Sequence, residues 1–125
     1  FDVFASANMT HPEALGRERH RATVLFARNA MCAIARPGLD VTPANLLERM
    51  LDPAVKLGTS TPGADPAGDY AFALFTRAEA IRPGARAALE AKALLLTGGP
   101  DSPRPPQGRD LYAWQFERGA ADLFL

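Results

Sequence analysis

The sequence predicts an α/β fold with a parallel or mixed sheet flanked by helices, and three observations point there. From residue 23 onward, strand-like and helix-like stretches alternate in the order β-α-β-α-α-β-α-β. That alternation builds a mostly parallel sheet with helices on both faces. A stretch rich in Gly, Pro and hydroxyls, Gly58-Thr59-Ser60-Thr61-Pro62-Gly63-Ala64-Asp65-Pro66-Ala67-Gly68-Asp69-Tyr70, separates a short apolar run from a helix-like one. The composition is globular: 125 residues with 47% hydrophobic and 22% charged side chains can bury one ordinary core, which excludes a disordered chain.

Taken in order, residues 1–5 read as a short strand and Ser6-Ala7-Asn8 as a turn. Pro12 to Glu18 reads as a helix, with Met9 and Leu15 as its buried residues. Thr23 to Ala35 is a long apolar run interrupted by Arg28-Asn29. Its β-branched and aromatic residues fit a strand with a kink or bulge, while its Ala and Met leave a helix open. Arg36-Pro37-Gly38 ends it. Thr42 and Pro43 suit the N-cap and first position of the next helix, whose apolar face is Leu46, Leu47, Met50 and Leu51. Asp52-Pro53 stops that helix, and Ala54 to Leu57 reads as a short buried strand.

The helix from Tyr70 to Ile81 places Tyr70, Leu74, Ala78 and Ile81 three or four apart, with Phe75 alongside. Asp65 is a good N-cap for it, and Pro66 falls where a missing N–H costs nothing. Pro83-Gly84 breaks the chain before a short Ala-rich helix over residues 85–91 and a strand over residues 93–96. Residues 97–108 form a long loop, of the kind that is often functional or mobile. Asp110 caps a last helix with Leu111, Trp114 and Phe116 on its buried face; Gly119 ends it, and residues 121–125 form the last strand.

This order carries a chemical consequence. In open α/β sheets ligands bind beyond the carboxyl ends of the strands. The 58–69 and 97–110 loops both follow strands and belong at that edge. Two helix N-termini, near Ala67 and near Arg109-Asp110, are then in a position to converge on one anion, since N–H groups there lack intrahelical partners and the helix dipole adds positive charge. The plainer alternative is that Asp65 caps its helix and nothing else binds.

Other chemistries find little support. Net charge is zero and no Lys/Arg cluster occurs, which argues against a nucleic-acid surface. No apolar run approaches the roughly 20 residues of a membrane span. Cys32 is the single cysteine, so no internal disulfide forms, and its apolar neighbours predict a packed thiol. His11 and His20 have no metal-ligand spacing. No Gly-x-Gly-x-x-Gly or Walker-type loop appears. Ser6, Ser60 and Ser102 lack a His partner, so a nucleophilic enzyme is not expected. The bare, strand-like ends, without initiator Met, signal peptide or polar tail, are expected to be those of a fragment.

Four stretches, in this order, carry a resemblance: Asp2-Val3-Phe4-Ala5-Ser6-Ala7-Asn8, Leu25-Phe26-Ala27-Arg28-Asn29, Pro66-Ala67-Gly68-Asp69-Tyr70 and Glu117-Arg118-Gly119-Ala120-Ala121-Asp122. Over nearly the whole chain the sequence resembles the periplasmic molybdate-binding proteins of ABC importers, two-lobed solute-binding proteins of type 2. The Phe-Ala-Arg-Asn and Pro-Ala-Gly-x-Tyr elements are moderately specific together and weak singly.

The resemblance implies one lobe of a type 2 periplasmic binding protein. Residues 1–22 are then the end of the first lobe and the crossover, and residues 23–125 most of the second lobe. It implies a non-enzymatic carrier in the periplasm, without cofactor or metal, that holds molybdate or tungstate by hydroxyls and backbone N–H groups and delivers it to a membrane permease. Carried over residue by residue, the ligand-binding positions are Ala67 and Gly68 at one helix start, and Arg109 and Asp110 at the next. The family's serine ligands fall upstream of Phe1 and its tyrosine beyond Leu125. Ser6 resembles a position near the cleft and is not expected to be a ligand.

One departure from the family pattern concerns Asp65. A carboxylate capping Ala67 or Gly68 competes with an oxyanion for the same donors and repels it, and Asp69 does so less sharply. Two alternatives follow: a lobe whose anion site is lost and which serves as a regulatory or protein-interaction module, and a carrier of sulfate or phosphate. The chain alone, with half the donors, is expected to bind an oxyanion weakly or not at all.

Overall fold

A computed structural model describes residues 2–125, in two units divided between Ala30 and Met31. Phe1, the first residue of the expected opening strand, lies outside the described residues.

Among the described residues of the first unit the helix is α1, Thr10–Arg19. Asn8 Oδ1 accepts the Thr10 N–H at its entry (3.2 Å). Glu13 in the first turn and Arg17 and Arg19 in the last complement the helix dipole. His20 closes the helix in the left-handed region (φ 51°), and the Arg21 N–H returns to the Gly16 carbonyl at 2.9 Å. Met9 and Leu15 are only half-buried; the buried residue of the helix is Gly16. No strand forms over residues 2–5, nor over residues 23–33. Val24 and Phe26 are 73% and 78% exposed. The β-branched and aromatic residues suit a strand there, but a strand needs a neighbour to supply its ladder bonds, and among the described residues this run is not part of the sheet.

The second unit follows the expected order: β1 (Ile34–Ala35), α2 (Leu46–Leu51), β2 (Leu57–Ser60), α3 (Pro66–Ile81), α4 (Ala85–Lys92), β3 (Leu94–Thr97), α5 (Leu111–Glu117) and β4 (Leu123–Phe124). The sheet runs β1-β4-β2-β3. β2 is parallel to both β3 and β4, and β1 is antiparallel to β4, so the sheet is mixed. Gly58 stands opposite Leu94 on one side and Phe124 on the other. The ladder to β3 is irregular between Thr59 and Ser60, at the end that carries the loop.

Several boundaries move, each for a local reason. α2 starts at Leu46 rather than at Thr42-Pro43, because Thr42 and Asn45 close a turn on each other first. The Thr42 N–H donates to Asn45 Oδ1 (2.7 Å), and the Asn45 N–H donates to Thr42 Oγ1 (3.3 Å). The strand expected at Ala54–Leu57 begins only at Leu57. Asp52 first takes the Ala54 N–H on its side chain (2.9 Å) and the Val55 N–H on its carbonyl (3.0 Å), and that turn consumes the residues. The Ala93 N–H still donates to Leu89 at the end of α4, so β3 starts at Leu94. Cys32 is exposed rather than packed, because residues 23–33 are not part of the sheet, which this run joins only at Ile34.

The core lies between the sheet and α2, α3 and α4. Leu57, Leu123 and Leu125 meet Met50, Ala71, Phe75, Ala78, Ala85 and Leu89. The buried stripe of α3 is Gly68, Ala71, Phe75 and Ala78, spaced three, four and three apart as one helix face requires. Tyr70 and Ile81, expected on that face, are 40% and 77% exposed. Gly68 sets the rotation. A Cβ there would lie 2.5 Å from the Thr61 carbonyl carbon and 2.7 Å from the Ser60 oxygen, so only glycine lets the helix start press against the end of β2. Glu79 joins α3 to α4 by accepting the N–H groups of Gly84 (2.8 Å) and Arg86 (2.9 Å). These bonds, Gly84's first, hold its carboxyl below the usual carboxylate range.

Candidate functional site

β2 and β3 run parallel, so the segments that follow them leave the same edge of the sheet. Gly58 to Ser60 belong to β2, which leaves Thr61 to Asp65 as the loop proper. Thr61 ties the two strand ends together: its N–H and its hydroxyl both donate to the Thr97 carbonyl at 2.9 Å. A type of turn rich in Gly and Pro then brings the chain to Asp65, the N-cap of the 16-residue α3, with Pro66 at the first helical position as the sequence predicts.

Asp65 is the centre of this edge. Its Oδ1 accepts the Ala67 N–H (3.0 Å), and its Oδ2 accepts the Ser60 hydroxyl (2.5 Å). Ser60 Oγ accepts in turn from the Thr97 hydroxyl (2.9 Å). Ser60 and Thr97 are buried, and Asp65 is half-buried. Gly98, at φ +74°, closes over the carboxylate. A Cβ there would stand 2.5 Å from both Cβ and Oδ2 of Asp65, so position 98 requires glycine for its backbone and for its space. On the outer side the Gly99 N–H donates to Ser102 Oγ at 2.9 Å. Asp69 is turned to the loop and accepts the Gly63 N–H at 2.8 Å.

The four residues expected to bind ligand fall into two sets. The Ala67 N–H donates to the Asp65 carboxylate, and the Gly68 N–H donates to the Asp65 carbonyl at 3.0 Å. Both donors therefore have intramolecular acceptors. Arg109 and Asp110 make their contacts elsewhere. The Arg109 N–H donates to Pro106 (3.1 Å), and its guanidinium pairs with Glu117. Asp110 caps α5, as expected, by accepting the Ala113 N–H at 2.8 Å. On α5 the fully buried residue is Gln115, whose Nε2 donates to the Leu96 carbonyl at 3.2 Å. Leu111, Trp114 and Phe116, its expected buried face, are half-buried.

Sequence reasoning missed Ser60, Thr97 and Gly98 as members of the site. The usable signal was there: Ser60 and Thr97 are polar residues ending two strands, each followed by turn residues. Among the described residues no group of three or more His, Cys, Asp and Glu side chains could hold a metal, and no helix is long and apolar enough to cross a membrane.

The other end of β2 and β4 carries a structural ion pair. Asp122 accepts the Lys56 N–H (2.8 Å) and the Arg36 Nε–H (2.6 Å), joining the segments that lead out of β1 and into β2 and β4. The Lys56 bond, against an opposing cost of burial and with help from Arg36, holds the Asp122 carboxyl below its ordinary range.

Residues 1–125 match a family model described as bacterial extracellular solute-binding protein. The chain is 43% identical over 126 residues to an uncharacterized protein of Pasteurella multocida strain Pm70, a match covering 99% of this chain and 52% of that protein. The chain thus spans about half the length of the curated relative it matches. No solved structure matches it.

Proposed function

The chain belongs to the bacterial extracellular solute-binding protein family, and on that footing we propose that it is part of a periplasmic carrier that captures molybdate or tungstate. The carrier hands the oxyanion to the membrane permease of an ABC importer and performs no chemistry on it. Residues 1–22 complete a first lobe and cross over, and residues 23–125 form most of the second lobe, with the ion held between lobes that close about a hinge. No cofactor or metal takes part.

One observation carries this reading: two parallel strands end together, and the loop after one of them feeds directly into the start of α3 at Ala67 and Gly68. A tetrahedral dianion is suited to such a place, because hydrogen bonds to a charged acceptor are about twice as strong as neutral ones. Several N–H and O–H donors then suffice without a Lys or Arg. In this reading Arg109 and Asp110, at the start of α5, are the second set of ligand-binding positions. Sulfate and phosphate have the same shape and charge class, and cavity size selects among them.

A second reading is favoured by a specific contact. The Asp65 carboxylate already holds the Ala67 N–H, as it would in a lobe that has given up its anion and acts as a protein-interaction module. Calorimetric titration of molybdate, tungstate, sulfate and phosphate into the full-length parent protein separates the two, with an Ala67→Pro variant checked for folding by circular dichroism. Binding of molybdate and tungstate alone, weakened when the Ala67 N–H is deleted, is the result expected of the carrier. Binding of none of the four puts the module first.

A further inference from the structure

We propose that the end of α1 and the chain folded back against it form a binding site for a phosphate group, held by Arg17 and Arg21 with His20 beside them. The site lies wholly within the first unit. It is a cavity of about 400 Å³ lined by Glu13, Gly16, Arg17, His20, Arg21 and Thr23. A fold-back builds its wall. His20 turns the chain in the left-handed region (φ 51°), the Arg21 N–H returns to the Gly16 carbonyl (2.9 Å), and the Thr23 hydroxyl donates to the Pro12 carbonyl (3.2 Å). Gly16 makes room for it: a Cβ there would lie 2.7 Å from Thr23 Oγ1 and 2.8 Å from the Arg21 carbonyl oxygen. Arg21 is thereby brought to the same cavity as Arg17.

The cations of this cavity are unpaired. Among the described residues Arg17, His20 and Arg21 form no ion pair, and Glu13 does not pair with Arg17 one turn on. Arg17, in the last turn, complements the helix dipole, but Arg21 lies beyond the cap, where that role ends. Three arginines among residues 17–21, with Glu18 between them, are too few for a nucleic-acid surface. They suit one small anion. A guanidinium offers paired N–H groups in one plane, which match two oxygens of a carboxylate or a phosphate. A carboxylate presents a single such edge, whereas a tetrahedral phosphate presents several, so two guanidiniums can each take one. The Thr23 proton is committed to Pro12, so that hydroxyl adds no donor. Glu13, the carboxylate on the cavity wall, opposes the anion and limits its affinity.

The test uses the isotope-labelled full-length parent protein. Sodium phosphate is titrated against sodium chloride of matched ionic strength, and the side-chain signals of Arg17, His20 and Arg21 are followed by NMR. Exposed ion pairs are individually weak and screened by salt, so saturation at roughly millimolar phosphate is expected, with no matching response to chloride. An Arg17→Gln, Arg21→Gln pair keeps good helix formers, and circular dichroism checks its fold. Read from the His20 signals, it should weaken binding at least about tenfold, while Glu13→Gln should tighten it about two- to threefold. Sedimentation with vesicles of phosphatidylglycerol and phosphatidylcholine, against phosphatidylcholine alone, identifies the source of the group. Capture of wild type but not of the double variant by the anionic vesicles assigns it to a lipid headgroup. A saturable response to phosphate without such capture assigns it to a soluble phosphate. A phosphate response no different from that to chloride, with no vesicle capture, overturns the proposal, and so does binding at these signals that survives loss of both arginines.

Discussion

Asp122 shows how one side chain can hold three strands in register. It accepts the N–H of Lys56 at the entry to β2 and the guanidinium of Arg36 after β1, while its own backbone leads into β4. Asp122→Asn keeps an acceptor for one of these donors and removes the charge. A charge-assisted bond that is lost costs about 1.5–3 kcal/mol, so urea denaturation should show destabilisation within that range. The pH dependence has a definite sign. A carboxyl held below its ordinary value stabilises the fold above the unfolded-state pKa of about 3.9 and loses that contribution as pH falls through the lower folded value. Wild type should therefore lose stability along an acid limb that is shallower in the Asn variant. Parallel limbs would show that Asp122 titrates alike in both states.

At the scale of elements, what was legible in the sequence was what is decided locally. The Asp65-Pro66 start of α3 and the Asp110 cap of α5 need only residues two or three apart, and both form as expected. The β-α-β-α-α-β-α-β order also follows from local periodicity and breakers. Element limits were less legible, because the side-chain bonds of Asp52 and Asn45 compete with the strand and the helix they precede. The Thr23 to Ala35 run was the least legible: whether such residues pair depends on a neighbour that is remote in sequence. The rotation of α3 lies between these cases. A glycine gives no hydrophobic signal, so the stripe through Gly68 was hidden behind Tyr70, Leu74 and Ile81. Two substitutions test it. Phe75→Ala removes a fully buried ring and should cost about 3–5 kcal/mol. Ile81→Lys changes a side chain that is exposed and should stay within about 0.5 kcal/mol of wild type by thermal denaturation. A large cost at position 81 would mean that the helix presents the other face.

At the scale of the whole molecule, the first unit leaves Val3, Phe4, Val24, Leu25 and Phe26 open to water. Single exposed apolar residues are ordinary, whereas a contiguous apolar group marks a surface that packs against something. The matched relative is about twice as long as this chain, and the proposed first lobe would supply the polypeptide that covers these residues. The sequence around Val24–Phe26 has the β propensity to add a strand to a sheet once a neighbour is present. Two consequences follow for the 125-residue chain studied alone. It should self-associate as its concentration rises, seen as a growing mean mass in light scattering. A Leu25→Lys, Phe26→Lys pair should shift it back toward the monomer, because two charges cannot be buried without partners. The same pair placed in the full-length parent should instead lower its thermal stability if the proposed first lobe covers this surface. A monomeric wild-type chain at high concentration, together with an unaffected parent, would mean that Val24–Phe26 face solvent in the complete protein and that the crossover lies elsewhere.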